Sequence, residues 1–358
     1  MDVVLVFAQV AFVVSALAVC LLRPLARASG LVDRPGGRKT HVGEVPVAGG
    51  MAMFLGVAAA AASAHLGADS AVIIVLAGVL VLVGTLDDRF DLPPLIRLCI
   101  QLLVAVVLTL GTGFAVRDFG NLFGWGVIHL WPFGGIFTIV AAVALMNGFN
   151  MVDGMDGLAG SVAFWGFLGL AIIAVTAGVQ SSAIIACSMV GVVSAFLVFN
   201  IPVRWNRGLH VFMGDAGSTF LGLVFAGIAL TLVQTGRGDI PPALLLWLVP
   251  IPIFELFSSF CRRLFRGLCP MDADDGHYHH QLQRKGLSAG AVFILYFIVS
   301  ALSVGIGVLG HLKHAPEPEM FLGFLGFYAL WVLSVGAPAW LKRWMHEVSR
   351  GIHAGAGH

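Results

Sequence analysis

Eleven apolar runs follow one another along this chain with short polar segments between them, and that pattern decides what it can fold into. A helix needs about 20 apolar residues to cross the hydrocarbon core of a bilayer. On that measure spans are predicted near 3–22, 47–66, 71–86, 95–112, 135–149, 158–177, 181–200, 217–235, 242–260, 291–310 and 320–341. Hydrophobic residues make up 59% of the chain and charged residues 11%, a balance foreign to soluble domains. The expected fold is all-α, a polytopic integral membrane protein of about eleven transmembrane helices. Residues 1–341 form one membrane domain and 342–358 a short tail.

Composition removes several alternatives. A formal net charge of +1 gives no footing for nucleic acid. The five cysteines, Cys20, Cys99, Cys187, Cys261 and Cys269, are scattered without ligand-like spacing, so neither a disulfide framework nor a zinc site is expected. The first run has no basic leader and no small-residue cleavage site, and Arg23 and Arg27 follow it. It reads as an uncleaved span.

Basic residues orient the spans. With the N-terminus outside, only Arg117, Arg237 and Lys313 of the 20 lysines and arginines fall on the outer side. The polar clusters at 33–46, 87–94, 147–157, 200–215 and 261–290 then share the cytoplasmic face. Residues 113–134, with Trp125 and Trp131, read as an outer stretch at headgroup depth.

Chemistry concentrates in four of those clusters. The densest holds Asn147, Asn150, Asp153 and Asp156, polar groups spaced by three that helical turns would stack on one face. Such groups beside apolar runs are costly unless they meet water, an ion or a polar ligand. Asp87 and Asp88 end the third span as a like-charged pair that calls for a nearby cation. Asn200 precedes a stretch in which Phe212, Gly214 and Asp215 lead into the eighth span. A helix start of that kind suits either a capping carboxylate or a phosphate. His277, His279 and His280 lie in a basic segment with Arg284, better suited to anions than to zinc. Carboxylates and carboxamides without thiolates favour a hard ion, Mg²⁺ or Mn²⁺. Together these suggest phosphoryl transfer between a soluble charged donor and a lipid acceptor. A transporter is the competing class, but its polar site would lie near the bilayer midplane.

These motifs resemble, in order and spacing from about residue 30 to 290, the polyprenyl-phosphate N-acetylhexosamine-1-phosphate transferases. The resemblance also takes in Arg38, Lys39, Thr40 and His41 in the first cytoplasmic loop. Met151, Val152 and the His-x-His-His pattern look like the branch that uses undecaprenyl phosphate and UDP-N-acetylglucosamine. Glu255 stands where that branch usually has Asp, and Asp275 where a basic residue is common. The resemblance implies Asp215 as principal metal ligand with Asn150 as second, and Phe212 as a shelf for uracil. It puts Asn147, Asn200, Asp153 and Asp156 among the substrate contacts, and His277, His279, His280 and Arg284 at the diphosphate or sugar. Asp87, Asp88 and Asp215 are the expected catalytic carboxylates. The implied setting is the bacterial cytoplasmic membrane, with membrane lipids as surroundings, and a homodimer by analogy.

Overall fold

The structure, a computed structural model, describes residues 2–34, 43–64, 66–201, 209–235, 240–265, 267 and 276–335. Residues 38–41, Asp275 and the tail 342–358 lie outside them.

The apolar runs form helices because backbone removed from water must bond to itself. In chain order these are α1 (Asp2–Ser29), α2 (Gly49–Ser63), α3 (Ala68–Phe90), α4 (Pro94–Thr112), α5 (Gly134–Val152), α6 (Leu158–Thr176), α7 (Gln180–Asn200), α8 (Gly214–Thr235), α9 (Pro242–Leu246), α10 (Pro250–Phe265), α11 (Tyr278–Arg284), α12 (Ala289–Leu312) and α13 (Glu317–Val335). Eight of them, α1, α3 to α8 and α12, are long and apolar enough to cross a membrane, so this is a multi-pass membrane protein. The run expected at 47–66 yields only the 15 residues of α2. The run at 242–260 is broken into α9 and α10, because Pro250 and Pro252 offer no N–H to continue the helix. An unforeseen short helix, α11, carries the histidines.

Two-residue strands β1 (Val32–Asp33) and β2 (Val45–Pro46) pair antiparallel, Val32 opposite Pro46. Val47 extends the second strand to meet Phe212 in a parallel bridge, which ties the first polar loop to the start of α8.

α8 is the axis of the bundle. Of its apolar stretch 89% is buried inside the protein, against 22% for α1. It packs on α2, α3, α5 and α6, while α7 joins α1 to α6 and α10 lies on α5. Leucines of the outer helices, among them Leu21, Leu82, Leu110 and Leu302, are exposed, as expected of faces turned to lipid. Two glycines set the close approach to α8. A methyl at Gly84 of α3 would stand 2.3 Å from the Ala216 Cα, and one at Gly222 of α8 would stand 2.4 Å from the Met146 Cα of α5. Small residues at such crossings let backbones touch. Here they bring the ends of α3 and α5 against the start of α8.

Candidate active site

The reversal from α3 into α4 builds the first wall. Asp91 takes the left-handed conformation at φ 52°, uncommon for a residue with a side chain, and Pro94 opens α4 immediately. Asp87 thereby meets Arg97. Asp87 Oδ1 accepts from Leu92 N at 2.8 Å and Oδ2 from Arg97 Nη1 at 2.9 Å. The same Arg97 nitrogen donates to Asp215 Oδ2 at 2.6 Å, so one guanidinium bridges two carboxylates.

Asp215 is the second residue of α8. Its Oδ1 accepts from Asn150 Nδ2 at 2.6 Å, and Asn150 also donates to Ser218 Oγ at 3.0 Å. Asn147, one turn earlier, donates to Gln101 Oε1 at 2.7 Å. α3, α4, α5 and α8 thus contribute their ends to one polar cluster.

Asp88 turns elsewhere, because successive helical residues point roughly 100° apart. Its Oδ1 accepts from the Asp215 N–H at 2.9 Å and its Oδ2 from the Ala216 N–H at 3.4 Å. It caps α8 from a different helix, satisfying N–H groups that the helix itself cannot. The expected pair therefore divides: Asp87 lines the cleft and Asp88 does not. The capping role considered for Asp215 belongs to Asp88, which leaves the Asp215 carboxylate to the cleft.

A cavity of about 900 Å³ joins these groups to α11. Its polar end holds Asp87, Arg97, Asn147, Asn150, Asp215, His277, His279 and His280. Its other wall is apolar, with Leu80, Val83, Val140, Phe257 and Phe260. The three histidines differ. His279 is 1% exposed, neither ring nitrogen has a hydrogen-bond partner, and its ring abuts Gly154, where a methyl would stand 2.3 Å from Nε2. Burial, with His280 and His277 adjacent, lowers its pKa to about 3. It is buried and still borders the cavity. Arg284, at the exposed end of α11, is absent from the cavity lining.

A second cluster borders the first. Asn200 is 5% exposed, and both ends of its carboxamide are used: Oδ1 accepts from the Gly157 N–H at 2.6 Å and Nδ2 donates to the Val211 carbonyl at 2.9 Å. It clamps two loops together. His210 Nε2 lies 3.0 Å from the Asn200 carbonyl oxygen and 3.4 Å from Asp156 Oδ1, and its ring meets Phe212 edge-on with centroids 5.3 Å apart. The hydrogen bond to Asp156 raises the His210 pKa against the opposing effect of burial. Asp153 is held well above the usual carboxylate range by burial and by the charges of Asp215, Asp88 and Asp156. Asp153, Asp156 and Phe212 lie beside the cavity and not in its lining.

Among the described residues no three acidic, histidine or cysteine side chains form a ready-made metal cage. The donor set nevertheless fits Mg²⁺, which is usually held by one or two carboxylates with substrate phosphates and water completing the shell. Asp215 and the Asn150 carbonyl oxygen are the atoms on hand.

Sequence reasoning passed over Arg97, His210 and the role of Glu255. Arg97 left a signal, since a cation in the first turns of an apolar run needs a partner. His210 left none; its partners come from other loops.

Comparison with known proteins places the chain in a family. Residues 70–233 match the family described as "Glycosyl transferase family 4". The chain is similar to the undecaprenyl-phosphate alpha-N-acetylglucosaminyl 1-phosphate transferase of Escherichia coli O157:H7, 33% identical over 97% of this chain and 95% of that protein. Proteins of the same name from Yersinia pestis (35%, 92% and 93%) and Haemophilus influenzae (32%, 95% and 96%) are similar over comparable lengths.

Proposed function

Because the chain belongs to the glycosyl transferase family 4, we propose that it transfers N-acetylglucosamine-1-phosphate from UDP-N-acetylglucosamine to undecaprenyl phosphate. The products are undecaprenyl-diphospho-N-acetylglucosamine and UMP, and the step opens a cell-surface glycan of the O-antigen, common-antigen or teichoic acid type. The names of the relatives support acceptor and sugar. The observation in this chain that carries the reading is one cleft with Asp87, Arg97, Asn150 and Asp215 at its polar end and an apolar wall along its side. Such a cleft accommodates a phosphate group with a hydrocarbon tail.

An oxygen of the acceptor phosphate forms the new bond to the sugar-bearing phosphorus while the bridging P–O bond breaks and UMP departs with the electron pair. The acceptor's second pKa is about 6, so it is largely dianionic at neutral pH and has little need of a base. On that ground the reading takes direct attack over a covalent aspartyl intermediate. Arg97 supplies positive charge between Asp87 and Asp215, where the two phosphates converge. Mg²⁺ or Mn²⁺, held by Asp215 and Asn150, would neutralise charge on the diphosphate, the main requirement of phosphoryl transfer. His277 and His280 line the far side of the cleft for the donor.

In this reading the N-terminus is outside, about eleven segments enter the membrane, and the cleft opens at the cytoplasmic side of the bacterial inner membrane, where soluble nucleotide-sugar is found. The basic residues support that side. The test is a detergent-solubilised assay with undecaprenyl phosphate, Mg²⁺ and a panel of UDP-sugars, following UMP and the lipid product. UMP release with UDP-N-acetylglucosamine is expected. Release with another UDP-N-acetylhexosamine alone, or with the muramoyl-pentapeptide donor, would reassign the substrate, and no release with any donor would end the reading.

A further inference from the structure

Glu255 is the most deeply buried carboxylate described in the protein, 1% exposed, yet it lies outside the cavity lining. A buried carboxylate persists only when its oxygens are fully engaged, and each oxygen here has a partner. Oε1 accepts from the Tyr278 N–H at 2.9 Å and from the Tyr296 hydroxyl at 3.1 Å. Oε2 faces His277 Nδ1 at 3.3 Å. Tyr296 belongs to α12 and Tyr278 opens α11, so Glu255 of α10 ties three helices together. The His277 ring stacks parallel to that of His279, with centroids 5.7 Å apart and an interplanar angle of 2°, and reaches the cleft.

We propose that Glu255 is the positioning residue for His277: its Oε2, 3.3 Å from Nδ1, fixes the orientation of the ring where it meets the donor. The inference rests on the phosphotransferase reading above. A carboxylate behind an imidazole fixes its tautomer and ring orientation. A neutral group behind the ring removes that support.

Glu255→Gln tests this cleanly. The amide oxygen can keep the bonds from the Tyr278 N–H and the Tyr296 hydroxyl, while the NH₂ group replaces Oε2 and opposes Nδ1 with a donor where an acceptor stood. The hydrogen-bond polarity at His277 is reversed with little change in volume. The assay above, run on the full-length detergent-solubilised protein, should give a KM for the UDP-sugar raised by about 10-fold, the difference between a charge-assisted and a neutral hydrogen bond. The kcat and the KM for undecaprenyl phosphate should change by less than about threefold, because uniform donor binding is what is lost. Glu255→Asp, which restores the charge, should recover most of the donor affinity. In a His277→Ala background, Glu255→Gln should add almost nothing.

A wild-type donor KM in the Gln variant would overturn the inference. So would a loss of kcat at unchanged donor KM, or a Gln penalty undiminished when His277 is absent, which would mean that Glu255 serves packing alone. A wild-type protein that releases no UMP would instead sink the phosphotransferase reading, and this inference with it.

Discussion

Two neighbouring aspartates show how much a single side-chain direction decides. Asp87 faces Arg97 and the cleft, whereas Asp88 holds the N–H groups of Asp215 and Ala216. Asp88→Asn retains a good capping oxygen and should unfold near the wild-type temperature. Asp88→Ala should lose about 1–2 kcal/mol of stability, the usual effect of removing a cap, read as a lower midpoint in a detergent thermal melt. Asp215→Asn should reduce turnover by on the order of 10³-fold, as loss of a principal electrostatic group does. His210 adds a pH dependence. Its pKa is raised from 6.5 by the bond to Asp156, so that bond is fully present below 6.5 and is lost as pH climbs through the raised value. Donor KM should therefore rise in the wild type as pH climbs above 6.5 through the raised value, and His210→Gln should flatten that rise. A parallel rise in both proteins would exclude the contact as its cause.

At the scale of elements, the site is a meeting of helix ends, and the crossings that make it possible lie about one turn away from the chemistry. Gly84 precedes Asp87 by one turn and touches the α8 backbone; Met146 precedes Asn150 by one turn and touches Gly222. Gly84→Ala should push α3 away from α8, costing about 1–3 kcal/mol through overpacking and lowering kcat by separating Asp87 from Asp215. Gly290→Ala, with nothing within 4 Å of the added methyl, is the control and should leave both melt and turnover unchanged. The same logic explains the elements that differ from expectation. Apolar length alone predicted an unbroken helix at 242–260, but Pro250 restarts it as α10, and that restart carries Glu255 beneath the histidine helix. α11 was not foreseen because its seven residues have too short a run for periodicity to register, and its stability comes from Glu255 and from burial of Tyr278 and Leu282.

The whole molecule is polarised. The carboxylates and carboxamides Asp87, Asn147, Asn150 and Asp215 gather at the ends of α3 and α5 and the start of α8, with the histidines of α11 across the cleft. The segment 113–133, which follows α4 and precedes α5, carries Trp125 and Trp131 at 90% and 88% exposure. If the cleft faces the cytoplasm, Asn121→Cys should react with a membrane-impermeant maleimide in intact cells, while Gln283→Cys should react only after permeabilisation. The reverse labelling would invert the orientation and place the cleft away from its soluble donor.

The helical membrane class, the multiple spans and the residue types of the site follow from the chain alone, because apolar run length and the cost of burying charge are local properties. Asp215, Asn150, Asp87 and Asn147 were legible for that reason, as polar groups where apolar ones would be expected. Which of them meet is another matter. Arg97 bridges Asp87 to Asp215, Asn200 joins two loops, His279 is buried against Gly154, and Glu255 stands behind His277. Each depends on contacts between residues tens of positions apart, set by how closely glycine lets α3 and α5 approach α8 and by where Pro250 restarts a helix. Spacing along a chain records what each segment can be. Only packing in three dimensions chooses the partner of each side chain.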